Sequence, residues 1–178
     1  MNPPILQGFP PVVGGHARVL ILGSFPSALS LEAHQYYGNP RNAFWPITSE
    51  LFGFEPDASY ESRLAALRSH GVALWDVLHQ CRRAGSADSA IDPKSLVVNN
   101  FAELFGKYPT IERVYFNGAK AADLYRRFAY SVERIHYQRL PSTSPAHAMR
   151  PGAKLAAWRA ISAPIASAAQ QGDAGRRQ

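Results

Sequence analysis

The chain is poor in the residues that build metal centres and disulfide frameworks. Among its 178 residues there is one cysteine, Cys81, and a single thiol cannot form an internal disulfide, a four-cysteine iron–sulfur cluster or a cysteine-based zinc site. Its six histidines never occur as HxxxH or HExxH, the spacings that place two imidazoles on one helical face. The sequence therefore predicts no metal site and no cofactor.

Long apolar runs and leader-like segments are also missing. No stretch approaches the ~18 consecutive apolar residues that a membrane span requires. The first residues, MNPPILQGFPPVVGG, do not follow the charged-then-apolar order of a signal peptide. We therefore expect a cytoplasmic protein that does not bind a membrane, and we expect it to be a monomer.

Acidic residues are fewer than basic ones. There are 19 Lys and Arg against 13 Asp and Glu, which gives a formal net charge of +6, whereas 46% of the residues are hydrophobic. This composition and length indicate a single globular domain. The positive surplus suits a polyanionic partner such as nucleic acid, and the alternative is a charge that serves solubility alone.

Short apolar runs alternate with amphipathic segments along the chain. The alternation predicts an α/β fold, a three-layer sandwich with a central, mostly parallel four-stranded sheet. One domain is expected over residues 1–163, followed by a flexible C-terminal tail over 164–178. The predicted strands span 18–23, 71–75, 113–116 and 134–138, the predicted helices span 42–52, 60–69, 99–107, 119–128 and 152–161, and a surface arm and a loop span 1–17 and 82–92.

Polar or Gly- and Pro-bearing segments follow all four predicted strands. Because parallel strands end at the same edge of a sheet, and ligands bind beyond their carboxyl ends, we expect these segments to meet and form a site. They are Gly23-Ser-Phe-Pro-Ser27, Asp76, Asn117-Gly118 and Leu140-Pro-Ser-Thr-Ser144.

Several of these residues also have a purely structural explanation. Ser27, Asp76 and Asn117 each suit a helix N-cap as well as a ligand site, and both interpretations stay open. The Ser- and Thr-rich loop after the fourth strand suits phosphate binding, but such loops are common. His136 is predicted to be a packed core residue. Four arginines are predicted to face solvent, namely Arg82, Arg83, Arg126 and Arg127.

The segment QYYGNPRNAFW, residues 35–45, is the densest in aromatic and amide groups. Phe44 and Trp45 open a predicted helix and are expected to anchor it in the core. Tyr37 and Asn42 are expected to be functional instead, because a connecting loop needs no such density. A tyrosine ring stacks on a base, and an asparagine amide offers both a donor and an acceptor.

Taken in order, these motifs resemble the uracil-DNA glycosylase superfamily, above all its hypoxanthine-DNA (deoxyinosine) glycosylase branch. The resemblance runs from about residue 18 to residue 158 and lies in LILGSFPS, YYGNPRNAFW, GVALWDVL, GSADSAID, YFNG and LPSTSPAHA. It implies a monofunctional DNA repair enzyme. Such an enzyme flips a deaminated base, chiefly hypoxanthine, out of DNA and hydrolyses its N-glycosidic bond to leave an abasic site.

The resemblance also implies roles for individual residues. Asn42 and Asp76 are the implied catalytic residues, Asn42 to position the attacking water and Asp76 to bind the base or act as a general base. The implied base pocket consists of Gly23, Ser24, Phe25, Tyr37 and Asn117. The implied DNA contacts are Arg41, Lys120, Pro141, Ser142, Thr143, Ser144 and His147.

Three positions depart from the superfamily's pattern. Phe25 replaces the water-activating Asp or Asn of GQDPY- and GINPG-type motifs, and Leu140 stands where many members have a histidine that stabilises the departing uracil. Ser144 is small where others carry a bulky wedge. These departures favour a base other than uracil. The alternatives are removal of uracil or another damaged pyrimidine, and a damaged-DNA-binding module without catalysis.

Overall fold

A computed structural model of the chain describes residues 1–165. Its strands are β1 (Ile5–Gln7), β2 (Val19–Gly23), β3 (Val72–Asp76), β4 (Leu78–Arg82), β5 (Val97–Val98), β6 (Arg113–Asn117) and β7 (His136–Leu140). Its α-helices are α1 (Ala28–Ala33), α2 (Phe44–Phe52), α3 (Tyr60–Ser69), α4 (Phe101–Lys107), α5 (Ala119–Phe128) and α6 (Pro151–Trp158), and short 3₁₀ helices span Asp88–Ala90 and Arg159–Ile161.

Four of the strands form one parallel sheet in the order β3-β2-β6-β7. The apolar sequences of β2 and β3, VLILG and VALWD, are buried at every residue, as expected for strands covered on both faces. Successive side chains point to opposite faces, so Leu20 and Leu22 join one core while Val19 and Ile21 join the other. The predicted α/β class with a parallel four-stranded sheet is confirmed.

Helices cover both faces of this sheet. Helices α4 and α5 supply Phe101, Leu104 and Leu124 to the core on one face. Helices α2, α3 and α6 supply Phe44, Leu67 and Trp158 to the core on the other. The result is the predicted three-layer sandwich, with all four parallel strands ending at the same edge.

A second, antiparallel sheet of order β1-β4-β5 lies beside the first. The sequence prediction missed it, since it assigned β1 to a surface arm and left β4 and β5 without structure. These strands are two to five residues long, and strands this short depend on tertiary pairing rather than on their own sequence. Strand β4 matters for function because it leads into residues 83–91, which lie at the carboxyl edge of the main sheet.

Two side chains lie in environments opposite to those predicted. His136 is exposed rather than packed in the core, because β7 is the edge strand of the sheet and begins two residues later than predicted. Arg83 is 4% exposed rather than solvent-facing, because carbonyl groups of Pro26 and Gly85 accept hydrogen bonds from its guanidinium. Arg126 and Arg127 are exposed as predicted.

Of the predicted C-terminal tail, Ile165 packs against the core, and residues 166–178 lie outside the described residues. Within residues 1–165, no helix is both long and apolar enough to cross a membrane. In the same range, nowhere do three His, Cys, Asp or Glu side chains come close enough together to hold a metal ion.

Candidate active site

A cavity of about 630 Å³ opens at the carboxyl edge of the parallel sheet. Residues that follow all four strands line it, so the predicted convergence of these segments is observed. Residues 36–42, before α2, and residues 86–89 complete its wall. The predicted site residues that line it are Gly23, Ser24, Phe25, Tyr37, Asn42, Asp76, Asn117, Ser142, Thr143, Ser144 and His147.

Three predicted DNA contacts lie outside this lining. Arg41 is exposed beside the cavity, and Lys120 lies partly exposed in the first turn of α5. Pro141 uses its carbonyl group to accept a hydrogen bond from the Trp158 indole at 2.8 Å. Arg41 and Lys120 therefore remain available to a bound polyanion, whereas Pro141 anchors the start of its loop.

Asp76 is the buried carboxylate of the cavity. It ends β3 opposite Gly23 in the register and is 4% exposed. No group of residues 1–165 donates a hydrogen bond to its Oδ2. Burial raises the pKa of Asp76 to about 7, the charge of Asp88 adds to the rise, and Arg83 opposes it. The N-cap alternative for Asp76 is wrong, because a strand and not a helix follows it.

Gly23 leaves room for this carboxylate. A Cβ atom at position 23 would lie 2.5 Å from Asp76 Oδ1 and 3.5 Å from the Tyr37 hydroxyl oxygen. The 2.5 Å contact is excluded for carbon, whereas 3.5 Å is an ordinary contact, so it is the present position of the Asp76 carboxylate that requires glycine.

Tyr37 places an aromatic ring and a hydroxyl group in the cavity wall. The ring stacks on Phe44 with centroids 3.9 Å apart, which fixes one face, and its backbone has a φ of 53°. The hydroxyl group is buried and has no partner among the described residues. Burial, and then the charge of Asp76, raises the pKa of Tyr37, and the nearby Asn117 side chain opposes the rise without making a hydrogen bond of good geometry. The hydroxyl therefore stays a donor at neutral pH.

Asn42 has its amide orientation fixed by the start of α2. Its Oδ1 accepts from the Phe44 backbone N–H at 2.9 Å, a local Asx turn that precedes Ala43, the N-cap residue of α2. The other end of the amide, Nδ2, donates to no group of the described residues. Asn42 therefore presents N–H donors from a position held by the helix.

Asn117 and Thr143 form a reciprocal pair. Asn117 Nδ2 donates to Thr143 Oγ1, and the Thr143 backbone N–H donates to Asn117 Oδ1, both at 2.8 Å. Thr143 is 1% exposed, so its side chain anchors the loop, and its contact with DNA stays a prediction. Gly118, and not Asn117, occupies the N-cap of α5. Two features require glycine at position 118. The backbone φ is 96°, and a Cβ atom there would lie 2.9 Å from Ser142 Cβ.

Residues 83–91 form a wall that the sequence did not assign to the site. The Ser24 hydroxyl donates to Asp88 Oδ1 at 2.7 Å, and the Ala28 backbone N–H donates to Ser86 Oγ at 2.9 Å. Arg83 lies over the Phe25 ring, with its guanidinium carbon 5.2 Å from the centroid. The polar string GSADSAID was the signal for this wall, but nothing in it singles out Asp88.

Ser27 is the N-cap of α1, where its side chain accepts from the Ser30 N–H. The structure thus shows the helix-capping role that the sequence left open for Ser27.

Comparisons with known proteins agree with this geometry. The profile of the Uracil DNA glycosylase superfamily matches residues 10–162. The chain belongs to the uracil DNA glycosylase superfamily. The predicted family and fold class are thereby confirmed, and so is the predicted enzyme class, a DNA glycosylase.

Two curated relatives and one solved structure are similar to this glycosylase. The hypoxanthine DNA glycosylase of Methanosarcina barkeri is 39% identical over 118 residues, which are 66% of this chain and 73% of that protein. The hypoxanthine DNA glycosylase of Methanosarcina acetivorans is 35% identical over 161 residues, 88% of this chain and 98% of that protein. The solution NMR structure of a candidate uracil DNA glycosylase from Methanosarcina acetivorans superposes with a TM-score of 0.71 at 34% identity, covering 88% of this chain and 98% of that one.

The Asn117–Thr143 pair makes a testable contribution to the stability of this glycosylase. In Asn117→Ala the buried Thr143 N–H loses its acceptor, which should cost about 1–3 kcal/mol of unfolding free energy and lower the melting temperature by about 2–4 °C per kcal/mol. Asn39→Ala is the matched control, since Asn39 Oδ1 accepts only from the nearby, exposed Arg41 N–H. Equal melting temperatures for the two variants would show that the pair does not anchor the loop.

Proposed function

We propose that this glycosylase removes hypoxanthine from deoxyinosine in DNA and leaves an abasic site. One observation carries the proposal: Tyr37 and Asn42, from the loop before α2, and Asp76, from the end of β3, line a single cavity with unused hydrogen-bonding groups. The two curated relatives named hypoxanthine DNA glycosylases support the choice of base. We further propose that the enzyme acts as a monomer in the cytoplasm.

The substrate nucleotide has to leave the duplex to reach this cavity. Flipping costs a few kcal/mol, and least for a mispaired base such as hypoxanthine, so the step itself favours damaged positions. The net charge of +6 attracts the DNA backbone. Arg41, Lys120 and the exposed part of the loop at Ser144 and His147 are the proposed contacts to phosphates beside the flipped nucleotide.

Aromatic and polar groups of the cavity suit a purine. Tyr37, already stacked on Phe44, and Phe25, backed by Arg83, are the proposed stacking surfaces for the base. Hypoxanthine carries a carbonyl group at C6 next to an N1–H, and Asp76 is the proposed partner of this edge. Asn117 keeps one N–H that Thr143 does not use, and this N–H is a second proposed contact to the base.

Hydrolysis then requires a water held opposite the base. Asn42 is the proposed holder, because its fixed Nδ2 donates a hydrogen bond to the water oxygen and leaves the lone pair that attacks free. As the bond between C1′ and N9 breaks, its electron pair leaves with the base, and the water oxygen bonds to C1′. One water proton remains on the new hydroxyl group and the other ends on the base. Since the sugar develops oxocarbenium character, a strong general base is not needed.

A duplex panel tests this proposal. Each end-labelled duplex carries one deoxyinosine, deoxyuridine, deoxyxanthosine or undamaged base, and each reaction is run with a metal chelator and analysed with and without alkali. We expect strand breaks at deoxyinosine that require the alkali, because a monofunctional glycosylase leaves an abasic site uncut. Breaks at deoxyuridine alone would assign the pocket to uracil. Tight binding without breaks on any duplex would show a damage-binding module and overturn the mechanism.

A further inference from the structure

Two carboxylates approach the same turn of backbone inside the cavity. Asp76 lies against Gly23, where a Cβ would be 2.5 Å from its Oδ1. Asp88 accepts from the hydroxyl group of Ser24, the next residue, at 2.7 Å. Both aspartates line the cavity. A second acidic side chain here is unexpected for a protein that binds a polyanion, since it opposes phosphate binding.

The surroundings of the two carboxylates are unequal. Asp88 is partly exposed and accepts a hydrogen bond, whereas Asp76 is 4% exposed and accepts none from residues 1–165. A buried ion without hydrogen bonds is far costlier than a neutral group, and a nearby negative charge increases that cost. A negative charge is therefore less costly on Asp88 than on Asp76.

With the exception of Arg83, the charged and titratable groups that face Asp76 are compatible with a neutral carboxyl group. Asp88 raises the pKa of Asp76, and Arg83, on the same wall, lowers it. Two backbone carbonyl groups already accept hydrogen bonds from Arg83. Their negative ends partly offset its positive charge and so weaken its effect on Asp76. The remaining titratable neighbours are tyrosines whose pKa burial raises, and which are therefore uncharged at neutral pH; they are Tyr36, Tyr37 and Tyr60.

The chemistry of the departing base also favours a protonated, neutral Asp76. The base leaves with the electron pair of the glycosidic bond, and part of that charge moves onto the oxygen at C6. A carboxylic acid stabilises this charge by donating its O–H to that oxygen, while its carbonyl oxygen accepts from N1–H. A carboxylate would repel the charge as it develops, which would slow the reaction.

We propose that Asp76 meets the base as a neutral carboxylic acid, and that Asp88 is the positioning residue that keeps it neutral. The inference rests on the proposed function and deepens it, because it fixes which group on the enzyme donates to the leaving base. Asp88 itself need not touch the base. It acts through its charge on Asp76, and the hydrogen bond from the Ser24 hydroxyl holds Asp88 in place.

The pH profile of single-turnover excision from an inosine duplex tests the proposal. In the wild type the rate should fall about tenfold per pH unit above the pKa of Asp76, as the acid is lost. In Asp88→Asn the fall should begin at lower pH, so that at about pH 8 the rate is roughly tenfold below wild type. In Asp76→Asn, whose neutral amide also offers a donor beside an acceptor, a reduced rate should remain, without that fall. Asp57→Asn, at an exposed position, controls for the changed net charge.

Two results would overturn the proposal. One is Asp76→Asn without excision at any pH, which would mean that a carboxylate is required. The other is Asp88→Asn with the wild-type pH profile.

A measurement of stability separates failure of this inference from failure of the proposed function. Because the pKa of Asp76 is raised in the folded state, the unfolding free energy of the wild type should decline as pH rises from about 4 to about 7. Asp76→Asn lacks this titration. Its melting temperature relative to the wild type should therefore be higher at about pH 8 than at about pH 5. That difference is expected whichever base the enzyme removes.

Discussion

The Asn42→Ala variant is expected to excise hypoxanthine about 100- to 1000-fold more slowly than the wild type, the usual effect of removing one fixed donor from a reacting centre. Asn42 Nδ2 is free among the described residues while Oδ1 is held by the Phe44 N–H. Alanine removes both groups, so the water loses its donor and the Phe44 N–H at the start of α2 loses its acceptor. Single-turnover rates on the inosine duplex measure the effect.

Loss of the hydrogen bond to the Phe44 N–H has to be separated from loss of the water donor. It should cost about 1 kcal/mol of unfolding free energy, which leaves the enzyme folded at assay temperature. Asn42→Ser is the matched control, since a serine hydroxyl can still accept from the Phe44 N–H but offers no amide to the water. We expect Asn42→Ser to melt near the wild type and to be as slow as Asn42→Ala. Wild-type activity in Asn42→Ser would place the water elsewhere.

The Gly23→Ala variant is expected to lose about 100-fold in excision rate, the penalty for displacing a reacting group by about 1 Å. The added Cβ would lie 2.5 Å from Asp76 Oδ1 and 3.5 Å from the Tyr37 hydroxyl oxygen. Asp76 ends a strand in the middle layer of the fold and has no space into which to withdraw except the cavity. The displaced carboxyl group then occupies part of the volume that the base needs.

Gly15→Ala is the matched control for this substitution. A Cβ at Gly15 meets no atom within 4 Å, so the same chemical change should leave excision within about twofold of wild type. Both variants are compared by single-turnover rate and by affinity for an inosine duplex. An active Gly23→Ala enzyme would show that Asp76 moves without consequence and that it does not contact the base.

The parallel sheet was predictable because burial on two faces leaves a clear pattern in the sequence. Residues 19–22 and 72–75 are entirely apolar, and the next residue is glycine in one case and aspartate in the other. Because parallel strands end at one edge, the convergence of Gly23, Asp76 and Asn117 followed from that pattern. The antiparallel sheet left no such pattern, since LHQCR in β4 is neither a continuous apolar run nor a regular alternation, and its two buried residues, Leu78 and Cys81, are three positions apart.

The hydrogen-bond partners at the site were not predictable from the sequence. Asn117 and Thr143 are 26 residues apart and Ser24 and Asp88 are 64 apart, and only the folded chain brings them together. Arg83 shows the same limit, because an arginine beside another arginine suggests a solvated face until its carbonyl partners are known. Sequence motifs therefore indicated which residues form the cavity, but not that Asp88 would determine the charge of Asp76.

The most direct test of the central claim is to identify the base that the enzyme releases. The enzyme is incubated with duplexes that contain deoxyinosine, deoxyuridine or only undamaged bases, and the small molecules set free are analysed by mass spectrometry. We predict free hypoxanthine from the inosine duplex, in an amount equal to the abasic sites formed, and release that is about 100- to 1000-fold slower after Asn42→Ala. Release of uracil but not of hypoxanthine, or no free base from any duplex that the protein binds, would contradict it.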